Sequence, residues 1–153
     1  MKFTRHFTTG DRPIEEQIQW KITPAFIAGT AVDMPAVESP AHWSQNAVNI
    51  LAKNYLRKAG VPDNTYNHNS DNNSIDTSMP NIGETIPSWL HRMVVPADID
   101  IIFSGETSAR QVFHRMAGHW TYVGWKHKYF DSESDARIFY DEIFWMLANQ
   151  IAA

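Results

Sequence analysis

The chain has 153 residues, 43% hydrophobic and 20% charged, the size and balance of one soluble globular domain with room for a core. A formal net charge of -4 and a sequence pI of about 5.9 leave no basic footprint, so nucleic acid is not an expected partner. Cysteine is absent, which excludes disulfides, thiolate metal sites and cysteine nucleophiles from these residues, whereas six Trp, eight Phe and five Tyr predict an aromatic core or an aromatic docking face.

The opening residues, Met1 to Gly10, lack the apolar run of a secretory signal. No later run approaches the roughly 20 apolar residues that span a bilayer, so a cytoplasmic protein with no membrane contact is expected. The first 38 residues read as irregular with short strands, and Gln17 to Ile22 alternates polar and apolar as a half-buried strand does. Ser39-Pro40 as cap and first helical position, with Gly60 and Pro62 as a stop, predicts a helix over 40–58. Its buried stripe is Trp43, Ala47, Ile50, Leu51 and Tyr55, with Lys53, Arg57 and Lys58 near the negative end of the helix dipole. Residues 62–86, rich in Asn, Ser, Asp and Thr, hold too few apolar side chains to offset their entropy and are expected to be a flexible loop. A short strand is expected around Ile99 to Phe103.

Ala109, Val112, Phe113, Met116, Ala117 and Trp120 then recur at helical spacing. Gly118 and Gly124 bracket an aromatic group and let backbone approach neighbouring rings. A third helix is expected from Asp131 or Ser132, with Asp135 three residues past Ser132 resembling a capping box. Ala136, Phe139, Tyr140, Ile143, Phe144, Leu147 and Ile151 carry its stripe, which has no glycine cap and is still running at Ala153, as in a chain that continues. The predicted core is Ala109, Val112, Phe113, Met116, Phe139, Tyr140, Ile143 and Phe144, with the second and third helices in contact.

No residue is assigned a catalytic role. Phosphate-binding glycine loops and nucleophile elbows are missing. His114 and His119, five apart, lie on different helix faces, so no metal site is assigned. Adjacent carboxylates such as Glu15-Glu16 and Asp141-Glu142 do not face each other on a helix. Trp120, Tyr122 and Trp125 are the candidate partner interface, weighed against burial of the same rings in the core.

Trp43-Ser44-Gln45 through Tyr55-Leu56-Arg57-Lys58-Ala59-Gly60-Val61-Pro62 resembles the N-terminal region of class II, adenosylcobalamin-dependent ribonucleotide reductases. So do Glu106 to Gly118, Trp120-Thr121-Tyr122, Gly124-Trp125-Lys126, Tyr129-Phe130-Asp131, Asp135-Ala136-Arg137, Phe139-Tyr140-Asp141-Glu142 and Met146-Leu147-Ala148, in the same order. The resemblance implies an α+β segment, predominantly helical, with three main helices and short N-terminal strands, normally packed against the reductase α/β barrel. Residues 1–153 would form that N-terminal domain, with the barrel elsewhere. It also implies a parent enzyme that converts ribonucleotides, as ribonucleoside diphosphates, to deoxyribonucleotides for DNA synthesis. That enzyme uses adenosylcobalamin to generate a cysteine thiyl radical and a cysteine pair as reductant. With no cysteine here, this segment is expected to be inactive alone and to need the catalytic remainder in cis or trans. No residue is assigned to the cofactor. The alternative is an independent helical protein-interaction module with an aromatic docking face.

Overall fold

The computed structural model describes residues 1–26, 34–62, 87–90 and 103–151. After an arm without regular structure, a 3-10 turn at Ile14–Gln17 leads into β1 (Trp20–Ala25), which pairs antiparallel with β2 (Met34–Pro40). Trp20 stands opposite Pro40 and Thr23 opposite Val37, with an irregularity before the Ala25–Met34 pair. The alternation expected from Gln17 is therefore displaced: Gln17 closes the 3-10 turn and the strand starts at Trp20. Ile22 is 72% exposed rather than on an inner face.

The first helix is shorter than 40–58. Ser39 and Pro40 end β2, and Ser44 is the cap, its hydroxyl accepting from the Ala47 N–H ahead of α1 (Gln45–Ile50). The next turn, Leu51–Tyr55, widens to a π-turn closed by the Leu56 N–H on the Leu51 carbonyl. The extra residue rotates the apolar face, so Trp43, Val48, Leu51, Ala52 and Leu56 are buried while Ile50 and Tyr55 are exposed. Beyond it, β3 (Val61–Pro62) pairs antiparallel with β4 (Phe103–Ser104), so strands are not confined to the region before Pro40. Of the strand expected around Ile99 to Phe103, only Phe103 is described and it begins β4, while 99–102 and 63–86, the greater part of the expected loop, lie outside the described residues.

Two long helices complete the domain, α2 (Ala109–Lys126) and α3 (Glu133–Ala148), packed on each other as expected. Ala109, Val112, Phe113, Tyr140 and Phe144 are buried, with Met116, Phe139 and Ile143 half-buried. Phe113 is the hub: its ring meets Trp43 at 5.8 Å and Phe144 at 5.5 Å, both edge-on. The Trp43 indole N–H donates to the Ala148 carbonyl at 2.7 Å. Contrary to the running stripe, α3 stops at Ala148: Ile151 N–H returns to the Met146 carbonyl and Gln150 N–H to that of Leu147, with Gln150 at φ 58. This is a Schellman turn built without glycine, and it leaves Ile151 exposed. The end of α2 repeats it with Lys128 at φ 58.

Candidate interaction surface

The segment from Glu106 to Arg115 is spent inside the fold. Ser108 caps α2 and Gln111 reaches back to the Ser108 N–H at 3.0 Å, a capping box that Ser-x-x-Gln announces in the sequence. Glu106, 3% exposed, receives Arg115 through both Nε and an Nη at 3.1 and 3.0 Å and also accepts from the Arg57 N–H. Charge is thereby neutralised where it is buried, and the π-turn is locked to the start of α2. Gly105 is required there, since a Cβ would stand 2.9 Å from the Lys58 carbonyl oxygen. Glu38 of β2 accepts from the Ser108 hydroxyl and Arg110, whose guanidinium lies 4.3 Å from the Trp20 ring centroid. His114 bridges Glu15, at 2.7 Å, and the Tyr140 hydroxyl, so both of its ring nitrogens are engaged within the fold.

The leading arm lies along α3. Asp135 accepts from the Phe3 N–H at 2.8 Å, and Glu142 accepts from the N–H groups of Phe7 and Thr8 and from the Thr8 hydroxyl. The Ser132 hydroxyl and the Phe3 N–H hold Asp135 below the usual carboxylate range. Burial acts to raise Glu142, but its hydrogen bonds from Thr8 and Phe7 together outweigh it, and the carboxyl sits low. Asp141 is the opposite case: burial pushes it up despite Arg137 and Arg5. Arg5 pairs with it at 2.8 Å, while Arg137 stands 3.4 Å away without a directed hydrogen bond, leaving Oδ1 unbonded.

Where α2 ends, the core opens into an apolar cleft of about 270 Å³, lined by Met1, Phe3, His119, Trp120, Val123, Gly124, Tyr129, Phe130 and Phe139. Trp120 continues the α2 stripe beyond Ala117, and it is 41% exposed. Gly124 permits the floor: a Cβ there would meet the Phe130 ring at 2.7 Å. Gly118, by contrast, has no neighbour to accommodate. At about 100° per residue Tyr122 and Trp125 point some 140° to 160° away from Trp120. Both are half-buried and neither lines the cleft, so the three predicted aromatics occupy two faces.

A family model described as class II vitamin B12-dependent ribonucleotide reductase matches residues 27–150. The chain belongs to that family. A vitamin B12-dependent ribonucleotide reductase of Bradyrhizobium diazoefficiens is 38% identical over 97% of this chain, and one of Agrobacterium fabrum is 36% identical over all of it. In both cases the chain spans 12% of the relative's length. It thus corresponds to the N-terminal segment of this reductase family.

Family membership and packing meet in the Glu106–Arg115 segment, whose side chains are tied to β2, the 3-10 turn and α3. Sequence reading missed the partners of those ties, Glu15, Trp20 and Glu38, and the carboxylates that hold the arm. The capping box was available as a local pattern; the contacts to Glu15, Trp20, Glu38 and the arm join residues 70 to 135 positions apart, which no local spacing records. Among the described residues no helix is long and apolar enough to cross a membrane.

Proposed function

We propose that this chain supplies the N-terminal part of an adenosylcobalamin-dependent ribonucleoside-diphosphate reductase in the cytoplasm and packs against the α/β barrel formed by the rest of that enzyme. The observation that carries the reading is the family match over 27–150 within relatives of which the chain spans only 12%. Its role is structural support of the site where ribonucleotides are reduced, because small displacements of a catalytic geometry are costly. Trp120 contributes the cleft side of the interface, and Tyr122 and Trp125 extend it around α2.

Among the described residues, those of the cleft do not fit a corrinoid. The cleft offers one imidazole, His119, among apolar walls, and it is below the roughly 300–1,000 Å³ of ordinary ligand sites. The cofactor, the radical cysteine and the reducing cysteines are therefore assigned to the remainder. The test is reconstitution: the cysteine-containing remainder is assayed for deoxyribonucleotide formation with and without this chain, added separately or fused after Ala153. Turnover should rise with the segment and fall again with Trp120→Ala. If the remainder neither binds the chain nor gains activity, an independent interaction module replaces this reading.

A further inference from the structure

One wall of the cleft is not part of the helical core. Residues 1–13 form neither helix nor strand, so their backbone N–H groups have no ladder and must find other acceptors. They find them on α3, where Asp135 takes the N–H of Phe3 and Glu142 those of Phe7 and Thr8. These two acids are seven residues apart and so share one face, with Phe139 between them meeting Phe3 at a 5.3 Å centroid distance. Arg5 adds its pair with Asp141 from the same side. The apolar hold is thin by comparison. Phe3 is half-buried, and Phe7, though stacked flat on Trp145 at 4.5 Å, remains 38% exposed. A segment held mainly by side-chain acceptors, with neither a backbone ladder nor a deep apolar anchor, opens at lower free energy than a core helix.

We propose that the arm is a detachable strap that completes the aromatic cleft, so that the surface offered to the rest of the reductase exists only while the strap is seated. Seated, Phe3 lines the same cleft as Trp120, with its own ring packed on Phe130 and Phe139. Released, it leaves an open apolar slope with no second wall. The occupant is an apolar segment of the catalytic remainder. That choice rests on the assembly reading above, in which most of the relatives' length lies outside this chain. A composite surface of this kind ties docking to the state of a segment far from it in sequence.

The strap is read on the isotopically labelled full chain, without any partner. With Asp135→Ala and Glu142→Ala combined, amide exchange at Phe3, Phe7 and Thr8 should quicken at least tenfold while Val112 and Phe113 hold their wild-type rates. The Trp120 indole signal should shift at the same time. Phe3→Ala, which leaves both acids in place, should move the Trp120 signal alone. The proposal is overturned if arm and α2 amides change together, if arm exchange is unaltered, or if Trp120 does not respond to a freed arm. Titration with the purified remainder separates the two readings. Strap release in a chain that the remainder ignores removes the assembly reading and leaves the strap. Equal binding by wild-type and freed-arm chains removes the strap's part in the surface.

Discussion

The two halves of α2 follow one periodic pattern and meet different fates. From Ala109 to Ala117 the stripe is buried against β2, Trp43 and α3, and its polar residues are committed to Glu38, Glu106 and Glu15. From Gly118 to Lys126 the same face runs out over Trp120 into the open cleft. Periodicity therefore assigns the face of a helix but not the depth at which that face is covered, which depends on where the neighbouring helix begins. In the first half the stripe is closed over, whereas in the second Thr121 and Gly124 stay buried while Trp120 is left 41% exposed.

The sharpest break in this comparison is a matched pair of truncations. Phe113→Ala removes the hub of the aromatic core and should cost about 3–5 kcal/mol, whereas Trp120→Ala should cost under about 1 kcal/mol. Thermal and denaturant unfolding of both variants checks this, and similar losses would erase the distinction. Glu106→Ala strands Arg115 and the Arg57 N–H in a mostly buried place and should cost about 3 kcal/mol. Restoring hydrogen-bond capacity with Glu106→Gln should recover part of the loss in the same assay. Gly124→Ala drives a methyl into the Phe130 ring and should cost about 1–2 kcal/mol. Its signature is a displaced Phe130 resonance with an undisturbed Phe113.

Smaller effects probe the periphery. Gln150→Gly relieves a left-handed residue at the end of α3 and should raise stability by about 1 kcal/mol, visible as a higher melting temperature. Acid should loosen the arm before the core. Asp135 and Glu142 lie below their ordinary values of 3.8 and 4.5, so the stability they lend is present above those values and lost as pH falls through the folded ones. Asp141 has the opposite sign: its raised carboxyl holds a proton longer in the folded state, so its contribution is present below its ordinary 3.8 and is lost as pH rises above that through the folded value. Amide signals followed from pH 6 downwards should show Phe3, Phe7 and Thr8 changing first, while Phe113 and Phe144 persist. Simultaneous loss would make the arm inseparable from the core.

What sequence made legible is uneven for physical reasons. The α2 and α3 stripes are long enough for the 3.6-residue repeat to stand out, and their burial follows it from Ala109 to Ala117 and from Ala136 to Leu147. The first helix misled because Ser39-Pro40 and Ser44 are both plausible starts, and because one widened turn at Leu51–Tyr55 shifts every later residue around the axis. The end of α3 misled because glycine is the usual sign of a Schellman turn and Gln150 carries none. At the surface, Trp120 is exposed, but its separation from Tyr122 and Trp125 follows from helix geometry that composition does not express. The arm was illegible altogether, since Phe3 and Asp135 are 132 residues apart.

That wide separation also governs when the domain can form. Trp43, placed early in the chain, completes its hydrogen bond only on the carbonyl of Ala148, 105 residues later. Phe113 likewise waits for Phe144. During synthesis, therefore, the hairpin and first two helices must remain on the ribosome with an unfinished aromatic interior until α3 has left the exit tunnel. A nascent chain halted before Phe144 should be protease-sensitive and held by chaperones, and one released past Ala148 should be resistant.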